Sequence, residues 1–136
     1  MTQRKPPPAS QLPERILIPN ARTVTGAGIG KTIAVPTINV DLSDVPSLLQ
    51  HGIYACFATI DGKRYSGALH YGPRPTIYAG VALEVHLIDA TLADLPPTIT
   101  ISIVGRIRDV QHFPSLDAMK KRIAQDVEIA RGMLST

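Results

Sequence analysis

The sequence predicts a mainly β domain: an antiparallel barrel with one long C-terminal α-helix packed on it. Three observations carry this. A tight-turn pair, Asp61-Gly62, separates two apolar β-rich runs. The stretches 81–89 and 98–103 alternate with period two. After residue 115 the apolar spacing changes to that of a helix. Short strands in series, followed by a single helix, do not alternate as a parallel doubly wound sheet requires.

The elements follow in order. Residues 1–13 are rich in proline, including Pro6-Pro7-Pro8, and poor in large apolar groups. Proline lacks an N–H and fixes φ, so residues 1–14 are expected to be a flexible tail and 15–136 the barrel domain. β-rich pieces then occur at 16–18, 22–25 and 33–40. Residues 54–60 and 63–71 flank Asp61-Gly62, a two-residue loop of the kind that takes positive φ at both positions, and so form a hairpin. In VALEVHLID (81–89), Val81, Leu83, Val85 and Leu87 face one way, and Ala82, Glu84, His86 and Ile88 the other. In 98–103, Ile99, Ile101 and Ile103 share one face. From Leu116, apolar residues recur at 119, 123, 127, 130 and 134, one stripe of a helix. Ser115 can cap its first free N–H groups, and Asp117 suits the positive end of its dipole.

Composition narrows the function. A chain of 136 residues is one ordinary domain and needs no disulfide or metal to fold. Its single cysteine, Cys56, sits in an apolar run and reads as a core residue. No stretch approaches the ~20 apolar residues of a membrane span, and the N-terminus lacks the apolar region of a secretory signal. A cytoplasmic protein with no membrane partner is the expectation. The pI of about 9.2 suits a phosphate-handling domain. The basic residues are scattered, however, and the short run Lys120-Lys121-Arg122 reads as a solvated helix face. With four Tyr, two Phe and no Trp there is little for nucleic-acid bases to stack on, so no nucleic-acid partner is expected.

The segment 28–39 carries the chemistry. Residues 25–32, Thr-Gly-Ala-Gly-Ile-Gly-Lys-Thr, nearly match a Walker A loop, which requires glycine where Thr25 stands. Such a loop must open a helix whose N-terminus receives the phosphates. Here β-branched residues and Pro36 follow, so the chain continues extended. Gly28 and Gly30 can still turn successive N–H groups onto an anion as a nest, with Lys31 adding charge. By itself the same pattern also fits a plain surface loop. In Pro36-Thr37-Ile38-Asn39, Thr37 and Asn39 lie two apart on an extended segment and so share a face. A hydroxyl and an amide oxygen suit magnesium that brings phosphates with it. A turn ending in a strand-terminal Asn is the structural alternative.

These residues resemble the ATP-dependent riboflavin kinase family. Its loop runs Gly-x-Gly-Arg/Lys-x-Leu-Gly-Phe-Pro-Thr-Ala-Asn, matched by residues 28–39, with Ala34 and Val35 in place of Gly-Phe. Gly52-Ile53-Tyr54-Ala55 is similar to Gly-Val-Tyr-Ala. Residues 67–76, Gly-Ala-Leu-His-Tyr-Gly-Pro-Arg-Pro-Thr, look like Gly-x-x-Asn-x-Gly-x-Arg-Pro-Thr, with His70 in place of Asn. Residues 83–89 are similar to Val-Glu-Val-His-Leu-Leu-Asp. Residues 104–108, Phe113 to Leu116, and Ile123, Asp126, Ala130 and Arg131 continue the likeness in order.

The resemblance implies a six-stranded Greek-key barrel. It implies transfer of the γ-phosphoryl of ATP, with Mg²⁺, to the 5′-hydroxyl of riboflavin, giving ADP and FMN. It places the catalytic base on Glu84, and the metal contacts on Thr37 and Asn39. Gly28, Gly30, Lys31, Pro36, Thr37 and Asn39 would bind nucleotide, and Arg108, Phe113 and Leu116 flavin. From the residues alone, Glu84 also reads as a solvated outer-face carboxylate, and His86 as structural. A monomer is expected. FAD synthesis is not, because the chain is too short for the adenylyltransferase module that often accompanies the family. The alternative function is a non-catalytic flavin- or nucleotide-binding module on the same barrel.

Overall fold

The structure, a computed structural model, describes residues 8–25, 37–74 and 80–135. The described residues form six strands, one α-helix and a short 3-10 turn (Leu42–Asp44): β1 (Ser10–Val24), β2 (Thr37–Val40), β3 (Gly52–Ile60), β4 (Lys63–Pro73), β5 (Val81–Leu87), β6 (Thr98–Arg108) and α1 (Leu116–Leu134). The strands close in the order β1-β2-β5-β4-β3-β6, and every pairing is antiparallel. β3, β4 and β5 form a meander, and β6 returns to lie beside β3, which is a Greek key.

The predicted hairpin is present. Asp61 and Gly62 have φ of 50° and 79°, the positive values a two-residue loop needs to match strand twist. β1 differs from its sequence reading in two ways. It starts at Ser10, where Ser10 and Gln11 pair with Arg106 and Gly105, rather than near Arg15. The two short pieces at 16–18 and 22–25 are also one strand. Its register against β6 shifts between Gln11 and Ile16 and again between Ile18 and Ala21, and each interval holds a proline, Pro13 or Pro19. A residue without an N–H leaves the ladder at a bulge and rejoins it, so the strand bends and continues.

Alternation sorts each strand into two faces. Inside the barrel, Ile18, Ile38, Leu69, Leu83, Val85, Ile99, Ile101 and Ile103 are almost fully buried in one cluster with Tyr54 and Cys56. Outside, Ile53, Ala55, Ala68 and Ile107 form a second cluster with Ile88 and Ala130, packed by Val127 and Met133 of α1. The helix can settle there because the wall beneath it is low. Ala68 pairs with Ala55 and Ala55 with Gly105, so three small residues lie side by side. A Cβ on Gly105 would come within 2.8 Å of Met133 Sδ. α1 begins where the sequence indicates: Ser115 Oγ accepts a hydrogen bond from the Ala118 N–H at 3.1 Å. No helix among the described residues is long and apolar enough to cross a membrane.

Candidate active site

Cross-strand register builds the site. Asn39 pairs with Glu84, Glu84 with His70, His70 with Ile53, and Ile53 with Arg108. Residues directly opposite one another lie on the same side of a sheet. These five side chains therefore form one row across β2, β5, β4, β3 and β6 on the outer wall. A neighbouring row begins Thr37–His86–Ala68. Where the wall carries small residues, α1 covers it. Where it carries polar ones, a cleft opens. Thr37, Glu84, His86, His70, Ala68, Ile53 and Arg108 line the wall side of the cleft. Gln111 and Phe113 of the segment before the helix line the rim, and Met119, Ile123 and Asp126 of α1 close the far side.

Arg108 is held in place. Its Nε and Nη2 donate to the two oxygens of Asp126 at 2.9 and 2.7 Å, and its Nη1 donates to the Asp109 carbonyl at 3.0 Å. A bidentate fork fixes the plane of a guanidinium, and here it ties β6 to α1. The Arg108 guanidinium also lies 5.7 Å from the centre of the Phe113 ring, within cation–π range. Asp126 is 3% exposed, the one charged residue among the buried ones of the described residues. Arg122 Nε lies 3.5 Å from it on the next turn.

Around Glu84 the balance is different. Its side chain is about a third exposed, and Arg74 Nη1 approaches its Oε1 at 4.0 Å. Burial lowers the pKa of His70 and of His86, so both rings favour the neutral form. Both ring nitrogens of His70 are buried, and the Glu84 carboxylate and the Pro73 backbone partly offset the effect of burial on the ring.

The structure thus brings Thr37, Glu84, Arg108 and Phe113 to one cleft. Asn39 shares their face as the cross-strand partner of Glu84. Leu116 does not line the cleft. It is 61% exposed in the first turn of α1, and the cleft is lined instead by Met119 and Ile123, further along the same helix stripe. Gly28, Gly30, Lys31 and Pro36 lie outside the described residues. Two members were missed by sequence reasoning. Asp126 stood in a quoted motif without a role, since its partner is 18 positions away on another element. Arg74 stood in the Arg-Pro-Thr stretch but was given no contact with Glu84.

Magnesium is a hard ion that prefers oxygen ligands. Among the described residues no group of three or more His, Cys, Asp and Glu side chains gathers to hold a metal. Thr37, Asn39 and Glu84 instead offer oxygens from adjacent strands β2 and β5. A sparse, oxygen-only set fits a hard ion that takes its other ligands from phosphates and water.

A carboxylate between oxygen donors on one side and an arginine-lined pocket on the other suits phosphoryl transfer. The chain belongs to the riboflavin kinase family: residues 15–134 match the family described as flavokinase, riboflavin kinase. It is 37% identical over 115 residues to the bifunctional riboflavin kinase/FMN adenylyltransferase of Escherichia coli K12, covering 82% of this chain and 36% of that protein. The enzyme of the same description from Haemophilus influenzae is 32% identical over 117 residues, covering 85% of this chain and 38% of its own length. This chain therefore spans little more than a third of these relatives. The crystal structure of riboflavin kinase from Trypanosoma brucei shares the fold, with a TM-score of 0.63 at 24% identity over 90% of this chain and 82% of that one.

Proposed function

We propose that this chain transfers the γ-phosphoryl group of ATP to the 5′-hydroxyl of riboflavin, giving FMN and ADP. The observation that carries this is the position of Glu84. It lies in the row between Asn39 on β2 and Arg108 on β6, with Thr37 in the same cleft. A base for this reaction has to stand where the phosphate site and the acceptor site meet.

Each side of the row has its work. The Thr37 hydroxyl and Asn39 amide oxygen face the nucleotide and would hold magnesium, which when bound neutralises phosphate charge. Glu84 accepts the proton of the acceptor hydroxyl as its oxygen forms the new P–O bond and ADP leaves. Arg74, 4.0 Å from Glu84, adds positive charge beside the reacting groups. Phe113 offers a flat face to a ring, and Arg108, locked by Asp126, holds that end of the cleft rigid. Little covalent chemistry falls to the protein in such a transfer; position and charge do most of it.

The test is incubation of the protein with riboflavin, magnesium and either ATP or CTP, reading FMN by chromatography. FMN formed with ATP is the expected result. Flavin bound but never phosphorylated by either nucleotide would reject the kinase reading.

A further inference from the structure

Gly52 and Gly72 stand in the family-like stretches 52–55 and 67–76, yet the reaction above makes no use of either. They lie at the same end of the β3–β4 ladder, where Gly52 pairs with Tyr71. A Cβ on Gly52 would come within 2.9 Å of Arg106 Nη2. A Cβ on Gly72, whose φ is 144°, would come within 2.8 Å of Val110 Cγ2. Carbon atoms do not pack so closely, so at each position the missing side chain lets a neighbour in.

Both neighbours hold the foot of one segment. Residues 109–114 join β6 to the Ser115 cap of α1. The Arg106 guanidinium, lying over Gly52, donates through Nη2 to the His51 carbonyl at 3.0 Å and to Asp109 Oδ1 at 2.7 Å. Arg108 Nη1 donates to the Asp109 carbonyl at 3.0 Å. Val110 follows and rests against Gly72. Two arginines at the end of β6 thus grip the side chain and the backbone of one residue. Exposed ion pairs are ordinarily weak because both side chains are free to leave. Here the Arg106 side chain is 23% exposed, and its bond to His51 fixes the guanidinium where Asp109 meets it. Only Gln111 and His112 separate Val110 from Phe113, and Gln111 and Phe113 line the cleft. A shift of the foot therefore carries the Phe113 ring with it.

We infer that Asp109, gripped by Arg106 over Gly52, is a positioning residue: it fixes the rim segment so that Phe113 presents its ring to the planar part of the acceptor. That the acceptor is a flavin rests on the kinase reading; the clamp rests on its own geometry.

The test uses riboflavin and lumiflavin, the ring system with a methyl group in place of the ribityl chain. Each is titrated by flavin fluorescence into the wild type, Asp109→Ala, Gly52→Ala and the double variant, and ADP with magnesium is titrated by calorimetry. The Asp109 side chain is 67% exposed, so its loss leaves the fold intact. Gly52→Ala displaces the free end of a flexible side chain and leaves the strand in place. Either change is expected to weaken both flavins by about three- to fivefold, the upper range for an exposed ion pair, with ADP binding unchanged. Both changes break the same link, so the double variant should bind no worse than the poorer single one. Asp109→Asn, which keeps an oxygen to accept from Arg106, should recover part of the loss. Unchanged flavin binding in Asp109→Ala, an equal loss for ADP, additive losses in the double variant, or a wild type that binds neither flavin would overturn the inference. The two readings fail separately. Flavin binding that depends on Asp109, with no FMN formed by the wild type, would reject the kinase and leave the positioning role. FMN formed by Asp109→Ala at an unchanged riboflavin KM would reject the positioning role and leave the kinase.

Discussion

A general base must present an unprotonated oxygen to the hydroxyl it serves, and Glu84→Gln removes that oxygen while keeping the shape of the side chain. Turnover is expected to fall by about 10²–10⁴-fold, with riboflavin binding by fluorescence largely kept; near-normal FMN production would dismiss Glu84 as the base. Thr37→Ala deletes a hydroxyl on the nucleotide side. It should raise the magnesium and ATP concentrations needed for half-maximal rate, and an unchanged magnesium dependence would count against Thr37 as a ligand. The two cleft histidines predict a pH effect on stability. Burial lowers the pKa of each in the folded chain, below the ordinary value of about 6.5. The unfolded chain therefore takes up protons first as pH falls. Stability should be greatest above about pH 6.5 and decline below it, as far as the lower folded-state values. Urea titrations at pH 5.5 and 7.5 should show the difference, and His70→Asn should lessen it. At this scale the sequence revealed types and spacing. Thr37 and Asn39 two residues apart were enough to place both on one face. That Glu84 faces a cleft rather than open solvent depends on α1 and on residues 111–113, which the alternation of 81–89 does not encode.

Among the ion pairs of the described residues, the fork between β6 and α1 is the most buried. The side chains of Arg108 and Asp126 are 11% and 4% exposed. Removing the carboxylate leaves a buried guanidinium with Asp109 as its remaining partner among these bonds. Asp126→Ala is therefore expected to cost about 3–5 kcal/mol of stability by urea titration; a loss under about 1 kcal/mol would show that the guanidinium finds another partner. The helix itself was legible. Its stripe from 116 to 134 and its Ser115 cap occur where the periodicity puts them. Asp126 fits neither stripe nor solvent face by residue type, and only its partner on β6 explains it. β1 shows the opposite failure. Residues 1–14 read as a tail and 16–18 and 22–25 as separate pieces, yet Pro13 and Pro19 fall at register shifts that bend one continuous strand of 15 residues.

For the whole molecule, burial of Cys56 offers a probe. It is 0% exposed, in the wall of the barrel interior, and its thiol pKa is pushed up to about 12 by burial. Only the thiolate reacts readily. At pH 8 in native buffer, alkylation of Cys56 is expected to be far slower than for a free thiol and to accelerate with urea in step with global unfolding. Rapid labelling without denaturant would show that the barrel opens locally at β3. The core position of Cys56 was readable from the apolar run around it. A barrel was readable too, but the order in which its strands close the ring was not, because that order is a property of pairings far apart in the chain.

Alternation, the Asp61-Gly62 turn and the helical stripe are local signals. They determine on their own that the chain is β-rich, where its clearest hairpin turns, and which side chains face the same way. The spacing in 36–39 likewise points to phosphate chemistry without a fold, and the family resemblance adds the carboxylate at 84. The tertiary structure decides what those side chains meet. Register across five strands puts Asn39, Glu84, His70, Ile53 and Arg108 in one line, and the helix, seated over small residues, turns that line into a cleft. Such contacts join residues tens of positions apart, and only barrel closure brings them together.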